Sequence, residues 1–307
     1  MCAMFRSRIG AQAAVLFVLA ASCAAQTPRA QSSAVTAATL SAKLHAQRSS
    51  PSDLELSGDL AGVPRGETRF LTRDDLLAAS QPMTISPDDG NFKSPSKVRA
   101  VPLDALARAL GVPAKDMVIA ICKDKYRCHY SRSYLTIHHP VLVMELDGKP
   151  LPGSPETEAD DPGPYLIAHA NFKPAFKILS HSDEPQIPWG VVRLEFRDEM
   201  AVFSAISPSG AHATDVPVQN GFRIAEQNCF RCHNNGAEGG LKSGVTWTVL
   251  AALAANSPQL FTEYVRDPKS KNPKTQMAAS PNYDDATMRA LIAYFKTFAP
   301  AALPEKP

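Results

Sequence analysis

The chain has 307 residues, 44% of them hydrophobic and 20% charged, with 32 Lys and Arg against 30 Asp and Glu for a net charge of +2. That length is a prior for roughly two domains, each able to bury its own core. Balanced charge excludes a polyelectrolyte nucleic-acid binder, the apolar content excludes a disordered chain, and a mean hydropathy of −0.16 excludes a multi-span membrane protein.

At the start, Arg6 and Arg8 precede the apolar run 11–21, which ends in the small residues Ser-Cys-Ala-Ala. This order predicts a secretory signal peptide over 1–25, because about 11 apolar residues fall short of the roughly 20 that span a bilayer. Cleavage after Ala25 and cleavage before Cys23 both fit; the second would leave a lipidated N-terminal cysteine, and Cys2 departs in either case. Residues 26–53 are Ala, Ser, Gln and Thr with scattered Pro and no aromatics, the composition of a flexible linker.

Ordered composition begins near Leu54. In LTRDDLL, Thr72 is an N-cap with Asp75 three residues on, and VPLDALARALG sets Leu103, Leu106 and Leu110 on one helical face before Gly111 stops it. MVIAIC (117–122) reads as a fully buried strand, VLVMEL runs into an Asp147-Gly148 turn, and VVRLEF alternates. Strands outnumber helices, so 54–206 is expected to be one mixed, sheet-dominated domain. The breaker-rich stretch 207–217 marks a boundary, residues 218–300 carry helical patterns throughout, and 301–307 is a tail. The fold class is α+β, sheet first and helices second.

The segment CFRCH, Cys229 to His233, is the sharpest signal in the chain. Two thiols three residues apart on one turn suit addition to the two vinyl groups of a heme, and the adjacent His233 supplies an iron ligand. Chance at this composition gives roughly 0.003 such pentapeptides. A thioredoxin-like pair lacks a leading strand, and a zinc site lacks a second Cys/His pair at the right spacing.

Around this motif the chain resembles a class I cytochrome c domain over 218–300. GFRIAEQNCFRCHNN is similar to that family's first helix, with Gly221 where the last helix would cross it. ALIAYFKTF is similar to the closing helix, with Met288, Leu291, Ile292 and Phe295 as its apolar face. Ala225 stands where an aromatic is common, and the loop NNGAEGGLKSG lacks the proline that usually supports the proximal histidine. The resemblance implies one covalent heme c on Cys229 and Cys232. It also implies a methionine as second axial ligand, and Met277, 44 residues past His233 on a loop before the last helix, takes that place. Met288 reads as core, and His212 is the nearby alternative. Lys269, Lys271 and Lys274 precede Met277, and residues 216–307 hold 10 Lys and Arg against 7 Asp and Glu, a cationic rim suited to an acidic redox partner.

Residues 55–200 resemble, through GDLAGVPRGETRFLTRDDLLA, VPLDALARALG, MVIAICKDKYRCHYS and LDGKPLPGSP with GPYLIA, the molybdopterin-binding domain of sulfite-oxidase-like proteins. Cys122 ends a strand, as that family's molybdenum ligand does, but Lys-Asp-Lys-Tyr follows it where Gly-Asn is the pattern. The scaffold is therefore expected without its metal. A disulfide between Cys122 and Cys128 is the simplest use of those thiols in an oxidising compartment; a metal site with His129, His138, His139, His169 or His181 is the alternative. The whole reads as an exported monoheme electron carrier with a docking domain, against the alternative of a heme-containing molybdenum oxidoreductase.

Overall fold

In the computed structural model, residue 40, residues 43–151 and residues 163–299 are described. The signal peptide with Cys2 and Cys23, most of the linker before residue 43, and the tail lie outside them.

The elements follow in chain order. The first half holds β1 (Leu54–Gly58), β2 (Arg69–Leu71), α1 (Arg73–Ala79), β3 (Gln81–Ile85), β4 (Ser96–Pro102), α2 (Leu103–Ala109), β5 (Asp116–Cys122) and β6 (Arg127–Tyr130). Next come α3 (Arg132–His138), β7 (Val141–Leu146), β8 (Lys149–Pro150), β9 (Leu166–Ala168), β10 (Lys177–Ile178), β11 (His181–Ser182), β12 (Val191–Asp198) and α4 (Glu199–Phe203). The second half is α5 (Val216–Asn228), the short pair β13 (Asn234–Asn235) and β14 (Glu238–Gly239), α6 (Trp247–Asn256), α7 (Pro258–Arg266), α8 (Pro268–Lys271) and α9 (Asp285–Lys296).

The predicted caps form. Thr72 accepts from the Asp75 N–H at 3.2 Å and opens α1; Gly111 ends the stretch after α2 at φ +66°. Asp147 and Gly148, both at positive φ, turn β7 into β8. The strands make two sheets, one ordered β2-β1-β12-β5-β6 and one ordered β3-β4-β7-β8 with β9 on β7. In the first, β1 runs parallel to β12 and every other pair is antiparallel.

The composition of β5 is explained by what covers it. Val118, Ala120 and Cys122 face the front core with Leu54, Leu56, Leu194 and Phe196. Met117 and Ile119 on the opposite face join Val202, Phe203 and Ile206 in a core shared with Ile224, Phe230, Trp247, Tyr294 and Phe295 of the helical region. A solvated sheet face would have been polar at alternate positions. Here the helices take the place of water, and each large side chain so buried contributes about 1.5–3 kcal/mol. The two regions thus share the core on one face of β5, and the stretch 207–217 joins parts that already touch.

Residues 43–53 differ from the linker expectation. Lys43 pairs with Asp75 at 2.8 Å, His45 exchanges main-chain bonds with Phe70 at 2.9 Å, and the Asp53 carboxylate accepts from the Ser49 and Ser50 N–H groups at 2.7 and 2.9 Å. The composition gave no sign of this, because the ordering comes from a few polar bonds, within the segment and to the body, and from Leu44 packing on the front core.

Candidate functional site

Helix α5 runs straight into the motif. Cys229 N–H still donates to the Ala225 carbonyl at 2.8 Å, and the next turn brings the Cys232 and His233 N–H groups to the Cys229 carbonyl at 3.2 and 3.0 Å. Both thiols therefore leave one turn, half-buried and free. Burial pushes Cys229 up to about 12 and raises Cys232 as well, so both are protonated.

His233 Nδ1 lies 2.6 Å from the Val245 carbonyl oxygen. A carbonyl only accepts, so Nδ1 carries the proton and Nε2 keeps its lone pair for a metal. The supporting proline missing from the sequence is replaced by this main-chain contact. Burial lowers the imidazole's pKa against the opposing effect of the bond to Val245, which leaves the neutral form a ligand requires. The loop after the motif folds back on it: Gly240 N–H donates to the Phe230 carbonyl at 2.9 Å. A Cβ on Gly240 would lie 1.7 Å from the Arg231 carbonyl oxygen, a distance only glycine allows.

The two residues between the cysteines are engaged by the front region. Phe230 stacks on His129 with ring centroids 4.6 Å apart and meets the edge of Trp247 at 5.7 Å. Arg231 donates to the Gln227 carbonyl and the Asn228 side chain, donates to the Tyr126 hydroxyl at 3.1 Å, and lies 3.6 Å from Glu184. The tip of the β5–β6 hairpin adds Arg127 N–H to the Arg231 carbonyl and Leu241 N–H to the Lys125 carbonyl, each at 3.0 Å. Lys242 pairs with Asp124 at 2.6 Å.

The two methionines lie in different surroundings. Met288 is 2% exposed in the shared core, whereas Met277 is half-buried and borders an open cleft of about 480 Å³ with Asp267, Pro268, Lys269 and Thr275. Leu241, Val245, Val249 and Leu260, on the segment between the motif and Met277, are exposed apolar side chains. Two thiols on one turn and a neutral imidazole with Nε2 left for a metal form a donor set that fits a covalently held heme. Lys271 pairs with Glu263 at 2.6 Å, while Lys269 and Lys274 are exposed.

Cys122 and Cys128 are free thiols, contrary to the disulfide expectation. The register explains it: Cys128 is opposite Ala120, and Cys122 N–H bonds to the Tyr126 carbonyl, so the two cysteines are diagonal neighbours across the ladder. Diagonal positions stand about 7–8 Å apart, beyond the Cα separation a disulfide tolerates. The histidines are also used structurally: His138 Nε2 lies 2.8 Å from Asp183, His169 Nε2 is 3.0 Å from the Tyr134 hydroxyl, and His139 is the left-handed cap of α3. His212 is exposed in the connector. Among the described residues, no group of three or more His, Cys, Asp or Glu side chains is placed to hold a metal ion, and no helix is long and apolar enough to cross a membrane.

Helices closing around a Cys-x-x-Cys-His turn, with an oriented histidine and a cleft-side methionine, define a heme-dependent electron-transfer domain. The cytochrome c family model matches residues 218–299. A cytochrome c2 from Blastochloris viridis is 35% identical over 103 residues, 32% of this chain and 68% of that protein. A cytochrome c oxidase subunit 2 from Alkalihalophilus pseudofirmus is 27% identical over 171 residues, 52% of this chain, which spans 48% of that subunit's length. The chain belongs to the cytochrome c family, through its helical region, and this family membership implies heme c and redox protein partners.

Proposed function

We propose that the chain is an exported monoheme c-type cytochrome that passes electrons between redox proteins, with residues 54–206 as its docking domain. The observation that carries the reading is the His233 Nδ1 contact with the Val245 carbonyl, because it fixes the proton on Nδ1 and leaves the Nε2 lone pair for an iron beside Cys229 and Cys232. In this reading Cys229 and Cys232 hold the heme through thioether bonds, His233 and Met277 are its axial ligands, and the bound group supplies a one-electron couple. The protein's part is to hold these ligands fixed and to exclude water from one side of the motif through Phe230, His129 and Trp247. Export rests on the charged, apolar and small-residue order of 1–25. The exposed Lys269 and Lys274 beside the Met277 cleft support docking of an acidic partner there.

For the front region we propose a sulfite-oxidase-like scaffold that serves as a platform and not as a molybdenum site. Lys-Asp-Lys-Tyr follows Cys122 where that family's metal-binding pattern has Gly-Asn, and the Cys122 thiol is packed in the apolar core of the front region. Elemental analysis of the purified holoprotein tests both halves of the reading. One iron and no molybdenum per chain, with heme that stays on the polypeptide after acid and organic solvent, is the expected result. Stoichiometric molybdenum overturns the platform role, and freely extracted heme overturns covalent attachment.

A further inference from the structure

In the sequence run HSDE, 181–184, of the front region, His181 and Asp183 are buried while Ser182 and Glu184 stay exposed. Strands β10 and β11 form a hairpin whose tip, Ser180, caps the start of α9. Ser180 N–H donates to Thr287 Oγ1 at 3.0 Å, its hydroxyl stands 2.6 Å from the same oxygen, and Asp284 N–H donates to Ser180 Oγ at 3.0 Å. The next residue, His181, is 1% exposed. Its Nε2 lies 2.7 Å from Gln227 Oε1 and its Nδ1 lies 2.9 Å from the Tyr283 hydroxyl. Asp183 accepts from Gln227 Nε2 at 2.6 Å, stands 2.8 Å from His138 Nε2, and takes the Ala175 N–H at 3.0 Å.

These contacts admit one consistent direction for every proton. Gln227 spends its amide N–H on Asp183, so its oxygen faces His181 and Nε2 of that ring must be the donor. Nδ1 then accepts from Tyr283, whose oxygen in turn accepts from Asn228 Nδ2 at 2.5 Å. Gln227 and Asn228 immediately precede Cys229, and Tyr283 ends the loop that carries Met277. A single imidazole from the front region thus bridges the segment bearing the thioether cysteines and the segment bearing the methionine, and Ser180 fixes the far end of the latter.

We propose that His181 is a positioning residue for axial ligation: the 177–184 hairpin straps the Met277 loop to the CFRCH turn and so sets how readily Met277 yields its place to an outside ligand. This rests on the assignment of Met277 as the sixth ligand. Removing the ring strands the Tyr283 hydroxyl and the Gln227 oxygen, and a loop so released samples more open states.

The test uses the full-length ferric holoprotein with imidazole as the probe. His181→Ala is expected to raise imidazole affinity at least tenfold, to weaken the long-wavelength sulfur-to-iron band, and to speed amide exchange at Met277, Ser280 and Tyr283. His181→Gln, which keeps one donor and one acceptor, is expected to return all three toward the parent values, a rescue that a purely structural role would not give. Ser180→Ala, at a half-exposed position, is expected to raise affinity about threefold; it decides the matter if His181→Ala does not fold. If imidazole affinity and exchange stay within twofold of the parent in folded variants while Met277→Ala loses the band, the strap is overturned and the ligand assignment stands. If Met277→Ala keeps the band, the ligand assignment falls, and the strap with it.

Discussion

Gly221 on α5 and Ala290 on α9 meet backbone to backbone: a Cβ built on Gly221 would lie 2.1 Å from the Ala290 carbonyl oxygen and 2.6 Å from Cβ of Tyr294. The nearest atoms are the Ala290 carbonyl and the Tyr294 Cβ, which no side-chain rotation can move aside, so the helices themselves would have to shift. Gly221→Ala is expected to destabilise the holoprotein by about 1–3 kcal/mol through overpacking, despite alanine's better helix propensity. Urea unfolding followed by circular dichroism measures it, and a gain in stability would show that the helices do not cross this closely.

Met277 and Met288 make opposite predictions. Met277→Ala is expected to abolish the weak sulfur-to-iron band and lower the reduction potential while changing stability little. Met288→Ala is expected to keep the band and to lose about 2–5 kcal/mol as a core truncation. Spectra and denaturation of both variants separate a ligand from a filler.

Cys122 and Cys128 are expected to remain protected from alkylation in the native protein and to react fully after unfolding without reductant, since both are buried free thiols. Peptide mass mapping reads this directly. Failure of either cysteine to label after unfolding would mean that a covalent bond forms despite the diagonal register.

Acid stability depends on buried histidines. Burial, followed by the nearby charges of Arg127 and Arg231, pushes His129 down to about 3, and among the described residues neither of its ring nitrogens has a hydrogen-bond partner. Its ordinary value is 6.5. Between those values the unfolded chain takes up a proton that the folded chain refuses, so stability falls as pH drops from about 6.5 toward 3. His129→Leu is expected to leave stability at pH 7 equal or higher by about 1 kcal/mol, and to lose less of it by pH 5 than the parent does. Urea midpoints at the two pH values compare them, and an equal loss in both proteins would exclude His129 as a source.

The attachment turn, the cap of α1 and the Met288 face were readable in the sequence because each depends on residues within a few positions or on a repeating face, and the Gly221 crossing was implied by the resemblance to the cytochrome c family. CFRCH needs only one turn of chain, and Thr72 needs only Asp75 to cap α1, their bond being 3.2 Å. Three things were decided by contacts between distant parts of the chain. The register of β5 against β6 kept Cys122 and Cys128 apart, and a register is set by a whole ladder, not by a spacing. The carbonyl that orients His233 belongs to Val245, and any residue type offers a carbonyl, so no side-chain pattern marks it. His181, Asp183, Gln227 and Tyr283 carry no local signature either. They became a network only when the hairpin of one region was buried against the helices of the other, where water no longer competes for their hydrogen bonds.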